Sequence, residues 1–490
     1  MRARSLFPLA LLALGASLWA ADIPSRPEQL QFPPLQFVVP KAETFKAVLP
    51  GNIPVYVAED KLLPLVTVQV YFRGGQYLEE KGKEGTAELL GTVWRTGGAG
   101  SLSAQELDET LDFLAAQVST RVGPTFSSVS LNVLAKDLDT GLKILFDLLT
   151  KPRFEEARLA KAKEDLLADL KRRNDDAADI ESREWRRLLY GDDYWLNRLP
   201  TKASVEAISR EDLLALHGRI VNPANCVVAA SGDFDRQALL AKLKGFFAQW
   251  KVKPNPVPQV PQPSHKPKPG VYLVHKADVN QGRVSIGHLG VKRPVPEEFA
   301  LMVANDILGG GGFTAWMMSR IRSDEGLAYG AYSTYNIGEL FPGTFRAAFQ
   351  SKSSTCARAT QLTLDLVAKL RRGEVTSQEL VTSKNSFIET FPRNFETKLN
   401  TVALFAQDDL LGRPHSYWVS YRDNLRKVDE AAVKAAAEKY IRPEEFVILV
   451  VGNLDEILKG HPDYPEVQMA NFGPFTRLPL RDPLTLQPLP

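Results

Sequence analysis

The chain has 490 residues, of which 44% are apolar and 24% charged, with a formal net charge of +2. That length exceeds what one hydrophobic core holds and suits two or more domains. So even a charge balance gives no reason to expect nucleic acid or an anionic membrane as partner, and two cysteines, Cys226 and Cys356, are too few for a disulfide scaffold.

At the N-terminus, Arg2 and Arg4 precede an apolar run over residues 6–19 that closes on Ala20 and Ala21. This is the pattern of a Sec-type signal peptide over residues 1–21, with cleavage expected near Ala20 or Ala21 and an exported, periplasmic product. The run is shorter than the roughly 20 apolar residues of a membrane span and no later stretch approaches that length, so stable membrane insertion is not expected. A proline-rich segment, residues 22–40, follows.

A first domain is expected over residues 41–250. It opens on a β-alternating stretch at 66–73 and continues into helical patterns at 142–149 and 155–173. In the latter, Leu159, Ala162, Leu166 and Leu170 fall on one face of an amphipathic helix. Residues 251–270 read KVKPNPVPQVPQPSHKPKPG, a proline-dense linker that cannot build helix or inner strand and favours an extended, semi-rigid spacer. A second domain is expected over 271–458, with a strand at 283–290 and helices at 299–308, 313–322, 359–370 and 377–390, before a C-terminal tail at 459–490.

The two halves read as copies of each other. Residues 208–235 and 428–455 each carry a helical pattern, a proline, an apolar β run and a Gly-x-apolar-Asp close. Pro223 and Pro443 are 220 positions apart, and so are Gly232 and Gly452. Cys226 and Cys356 sit in or beside expected buried strands of different halves, where cysteine behaves as a small hydrophobe. Strands and helices mix in each half, so the fold class is α+β.

A helical zinc site needs two histidines four positions apart facing one way, a glutamate between them to activate water, and a distant carboxylate as third ligand. The six histidines here, His217, His265, His275, His288, His415 and His461, include no pair three or four apart. No helical histidine pair can therefore hold a metal anywhere in the chain. The four glycines Gly309, Gly310, Gly311 and Gly312 have no Gly-Lys-Ser/Thr after them and so form no phosphate-binding loop.

Residues 309–329, GGGGFTAWMMSRIRSDEGLAY, closely resemble the C-terminal-half signature of the pitrilysin/insulinase family of zinc metallopeptidases. The resemblance runs from about residue 40 to 458. It implies two homologous α/β-sandwich domains forming a half-clamshell, with the glycine-rich loop Gly309–Gly312 and the pair Arg322 and Tyr329 binding substrate. The arginine would hold the substrate backbone and the tyrosine hydroxyl would donate to the developing oxyanion. Where the family carries His-x-x-Glu-His, this chain reads GTAELLGTVW over residues 85–94, with Glu88, Gly91 and Thr92 at the three motif positions. The third-ligand position falls near Asp169, a methylene shorter than glutamate.

The resemblance thus implies a subunit without a cofactor of its own. Zinc is expected in a homologous partner carrying His-x-x-Glu-His, with unfolded peptides as substrate and Arg322 and Tyr329 supplied across a heterodimer interface. A purely structural or peptide-binding relative is the alternative. A peptidase using a reassigned metal site around Glu88 and Asp169 is a third reading, although a site held by so few carboxylates is atypical for zinc.

Overall fold

The computed structural model describes residues 26, 29–30 and 36–489. The expected signal peptide lies outside the described residues, as does most of segment 22–40. Residues 39–489 pack as one body built on two six-stranded sheets.

The first sheet holds β1 (Lys46–Leu49), β2 (Ile53–Glu59), β3 (Leu65–Arg73), β4 (Gln117–Val122), β5 (Phe126–Leu134) and β6 (Cys226–Gly232), in the order β1-β2-β6-β3-β5-β4. Val66, Val68, Val70 and Phe72 alternate inward from β3, as the period-two pattern predicts. The second sheet holds β7 (Gly270–His275), β8 (Gln281–Leu289), β9 (Ala328–Tyr335), β10 (Thr344–Lys352), β11 (Val447–Gly452) and β12 (Phe475–Leu478), in the order β12-β7-β11-β8-β10-β9.

Five strands of each sheet correspond one to one. The pairs β2–β6 and β7–β11 are parallel, and the remaining ladders among these strands are antiparallel in both sheets. The repeat read in the sequence is therefore a repeat of topology. The helices Arg210–Ile220 and Glu430–Tyr440, the short turns at Pro223 and Pro443, and strands β6 and β11 occupy matching places. The sixth position differs, since β1 makes a hairpin with β2 while β12, from the tail, joins β7 in parallel.

Each half lends a helix to the other's sheet. The helix Ala177–Tyr190 packs on β8 and β11, and the helix Lys398–Leu411 packs on β6, β2 and β3. The first crossing buries the Glu181 carboxylate, 1% exposed, against Arg283 Nε at 2.6 Å, Ser285 Oγ at 2.5 Å and Arg346 Nη2 at 2.8 Å. The second sets Asp409 on Lys46 Nζ and Tyr56 Oη, both at 2.8 Å, and gives two of its carbonyls to Arg73. A buried carboxylate with three donors satisfies its lone pairs and fixes how the crossing helix sits.

The proline-dense tract carries no helix or strand between Trp250 and β7. It is docked rather than free, because Tyr77 and Tyr194 donate to the carbonyls of Pro258 and Pro261, and Gln262 donates to Leu340 in the second half. The tail after β12 returns to the first half. There Pro483, Arg481 and Leu484 offer their carbonyls to Arg173, Asn174 and the Lys202 amide. Both cysteines are buried and free, and no helix among the described residues is long and apolar enough to cross a membrane.

Candidate functional site

The glycine-rich segment departs from the two simple helices expected around it. The helix Glu298–Asn305 widens into a π-helical turn over Asp306–Gly310, a tight turn follows at Gly312–Thr314, and a second π-helical stretch runs over Met318–Asp324. The cause is a close approach. A Cβ on Gly309 would come within 2.3 Å of the Ser333 amide nitrogen, so only glycine lets the loop lie against β9. Asn305 and Ser333 lock that contact through a 2.9 Å side-chain hydrogen bond. Gly312 takes φ +63°, where a side chain would be strained.

The second π-helical stretch is anchored from below by Met317 and Ile321, both fully buried, and by Trp316, whose indole donates to Glu379 at 2.5 Å. That leaves Arg322 at the surface. Its guanidinium carbon lies 4.8 Å from the ring centroid of Tyr329 and 4.8 Å from that of Phe313, a cation in contact with two aromatic rings. Tyr329 is 87% exposed and Phe313 72%.

Tyr329 sits where the β9–β10 ladder slips between the pairs Ala331–Phe349 and Ala328–Ser351. Such a bulge re-aims a side chain at a sheet edge, and β9 is an edge strand. Arg320, two positions before Arg322, is neutralised by Glu325 at 2.8 Å and Asp324 at 3.6 Å. Arg322 itself makes no ion pair among the described residues, so its donors are free for a carbonyl or carboxylate.

The degenerate motif lies on the helix Thr86–Thr96. Leu89, Leu90, Val93 and Trp94 face the core, while Glu88 and Thr92 face out. The helix is capped by buried Glu79, which accepts from the amides of Gly85 at 3.1 Å and Ala87 at 2.7 Å. Burial lifts the Glu79 carboxyl to about 7 against the pull of those two amides. Gly91 is held against β4, its carbonyl accepting from Thr120 Oγ1 at 2.7 Å, and Thr92 turns its hydroxyl back to the Glu88 carbonyl at 3.2 Å.

Asp169 lies near enough to Glu88 to act on its charge. The Glu88 carboxyl is raised by partial desolvation, with Arg173 opposing and Asp169 adding to the rise. Asp169 itself is exposed and pairs with Arg172. The neighbour that the sequence reading missed is Arg173. It donates to the carbonyls of Pro483 at 2.9 Å and Pro200 at 3.0 Å, and burial and nearby Arg183 lower it to about 10 while Glu88 acts the other way. Arginine stays cationic there.

One carboxylate, a hydroxyl bonded back to its own helix, a glycine and a fixed cation beside them do not fit a zinc ion. Among the described residues no three of His, Cys, Asp or Glu converge as a metal site requires. The two clusters do not meet: Glu88 has Asp169 and Arg173 as charged neighbours, and Arg322 has Phe313 and Tyr329 as ring neighbours.

Phe313 was the other omission. Its only signal was an aromatic residue immediately after four glycines, where an exposed ring has no core to enter.

Comparison with known proteins gives two family matches, "Insulinase (Peptidase family M16)" over residues 55–187 and "Peptidase M16 inactive domain" over residues 207–387. The non-peptidase homolog YmxG of Helicobacter pylori is 24% identical over 84% of this chain and 94% of its own. The uncharacterized zinc protease YmxG of Bacillus subtilis is 21% identical over 72% of this chain and 85% of its own. Among solved structures, a peptidase M16 inactive domain from Pseudomonas fluorescens superposes with TM-score 0.74 at 23% identity, covering 83% of this chain and 97% of that one. The periplasmic protease PqqL from Escherichia coli gives 0.71 at 14% identity, covering 83% of this chain and 45% of that one.

Proposed function

The chain belongs to the insulinase (M16) peptidase family, and from that premise we propose that it is the metal-free subunit of a heterodimeric zinc metalloendopeptidase, supplying Arg322 and Tyr329 to a partner that carries His-x-x-Glu-His. The observation that carries this reading is the half-buried Arg322, free of any ion pair among the described residues, stacked on exposed Tyr329 of edge strand β9, in a chain whose motif helix carries no histidine.

In that role the guanidinium holds a carbonyl of an unfolded peptide, and the tyrosine hydroxyl donates to the oxygen that gains charge when the partner's site attacks. Preformed donors at such a position are worth far more in the transition state than in the ground state. Export to the periplasm is supported by the apolar run at residues 6–19 and by the periplasmic relative PqqL.

A second reading, an inert structural or peptide-binding relative, is favoured by one observation, the Helicobacter relative described as a non-peptidase homolog. Co-purification of the exported chain from its host distinguishes the two. A His-x-x-Glu-His protein in equal amount, with about one zinc per pair and cleavage of unstructured peptides, supports the divided site. A chain that comes down alone without zinc or activity supports the inert relative.

A further inference from the structure

Between the two halves, the β4–β5 turn, the crossing helix Ala177–Tyr190 and the β9–β10 loop enclose a cleft of about 460 Å³. Its walls are largely apolar, with Phe126, Trp185, Leu196 and Phe341, and Asn336, Arg186 and Glu339 are among the polar exceptions. They are also stiff. Tyr190 Oη donates to the Pro342 carbonyl at 2.8 Å, and a Cβ on Gly338 would come within 1.7 Å of the Phe341 carbonyl oxygen.

One cation lines this cleft without an answer. Arg186 makes no ion pair and its guanidinium no hydrogen bond among the described residues, and its Nε is buried with no partner. Every charged neighbour is engaged. Arg183 donates to Arg173 and Asn174, Arg187 pairs with Asp192, and Arg346 with Glu181. Glu339, the carboxylate on the cleft wall, is held by both Arg293 and Arg413. Burial alone pushes the Arg186 guanidinium down, with no carboxylate acting on it, yet arginine stays charged. Arg186 is half-buried with its Nε shut off from water, so a counter-charge that reaches it relieves part of the cost of that desolvation.

We infer that this cleft binds a carboxylate carried on an apolar body, the carboxylate meeting Arg186 and the body lying among Phe126, Trp185 and Phe341. Its size falls within the range of small-molecule sites. An adjoining cleft of about 410 Å³ shares Phe126 and Phe341 and adds Leu410 and Leu411, which gives room for a longer chain. A free aliphatic acid and the apolar C-terminal residue of a peptide both present this chemistry. The site stands apart from Arg322 and Tyr329 and does not depend on the role proposed for them.

The test uses the full mature chain and follows Trp185 emission and heat of binding with decanoate, with decan-1-ol, and with a leucine-terminated peptide as free acid and as amide. At least one carboxylate probe should bind saturably, and its uncharged counterpart roughly tenfold or more weakly, as expected for loss of a charge-assisted pair. Arg186→Gln should remove that difference, and Arg186→Lys should restore part of it. Tighter binding of decanoate identifies a free acid as the ligand, and tighter binding of the peptide acid identifies a chain terminus; either supports the site. Equal binding of acid and uncharged counterpart by the unmodified chain, unchanged binding by Arg186→Gln, or no saturable binding of either acid overturns it. The comparison on the unmodified chain holds even if the variant folds poorly.

Discussion

Arg322 and Tyr329 stack at 4.8 Å, and the Phe313 ring lies at the same distance from the guanidinium. The arginine is thereby oriented by rings alone, its N–H donors left pointing along the guanidinium plane with no carboxylate consuming them. A cation–π contact at an exposed site is worth about 0.5–1 kcal/mol, enough to bias a side chain that otherwise samples many rotamers.

In the proposed complex with a zinc-bearing partner, Tyr329→Phe keeps the stack and removes only the hydroxyl. Turnover of an unstructured peptide should fall by about 10²–10³-fold, the usual effect of deleting an oxyanion donor, while assembly by gel filtration stays unchanged. Phe313→Ala should cost only a few-fold, because it loosens the arginine without removing a donor. Full turnover with Tyr329→Phe would sink the role assigned to the hydroxyl.

Glu79 gives a pH signature with a definite sign. Its ordinary value is 4.5 and its folded value about 7, because burial opposes ionisation. The folded chain then holds a proton that the unfolded chain has released, so this group's contribution to stability falls as pH rises from about 4.5 to 7. Glu79→Gln keeps an acceptor for the Gly85 and Ala87 amides and never ionises. It should match the parent near pH 4.5 and exceed it by roughly 1–3 kcal/mol at pH 8 in urea denaturation. Buried His217, lowered to about 3, acts in the opposite sense below pH 6.5 and is common to both proteins. An equal stability difference at both pH values would refute the assignment.

Glu181 tests the crossing of the halves. Removing one member of a buried, hydrogen-bonded ion cluster strands the others, here Arg283 and Arg346, at a cost of about 3–5 kcal/mol. Glu181→Ala should lower stability by that amount. A loss under 1 kcal/mol would mean that water enters and satisfies the arginines.

Much of this architecture was legible in the chain because it rests on local periodicity. Alternation in β3, the 3.6-residue stripe through Leu159, Ala162, Leu166 and Leu170, and the matched Pro223/Pro443 and Gly232/Gly452 all appear where expected. The crossing helices were not legible as such, since an amphipathic stripe says that a helix is buried, not which sheet buries it. Strand β12 reads Phe-Thr-Arg-Leu, four residues with no inward alternation, and is a strand only because β7 offers it a free edge. Arg322, Tyr329 and the four glycines were singled out through the resemblance of residues 309–329 to the insulinase-family signature. Phe313 and Arg173 act through space and carry no spacing signal.

The tail gives a further test. Deleting residues 474–490 removes β12 and the carbonyls that hold Arg173, Asn174 and Lys202, and leaves β7 as an open edge. At about 0.5–1.5 kcal/mol net per hydrogen bond lost, the truncated chain should be less stable by roughly 2–5 kcal/mol and more prone to aggregate through the bared edge. Unchanged melting and solubility would show that the strap contributes nothing to the folded body.

The vacated motif can be refilled by Glu88→His, Gly91→Glu and Thr92→His, yet the surroundings argue that zinc affinity will not return with the ligands alone. A Cβ at Gly91 would lie 3.3 Å from the Val122 amide nitrogen, so β4 must yield for the new glutamate to fit. Asp169 is a methylene short of the usual ligand, and Arg173 sets a fixed positive charge near Glu88, held by the tail. A fixed positive charge opposes a bound cation, by about 4 kcal/mol at a separation of roughly 4 Å and an effective dielectric of about 20, and by less where water screens it. The triple variant should therefore bind zinc weakly by calorimetry. Adding Asp169→Glu and Arg173→Leu should tighten binding on the order of tenfold or more. Tight, stoichiometric zinc in the triple variant alone would show that Arg173 does not guard the site and that loss of the three ligands was the whole of its inactivation.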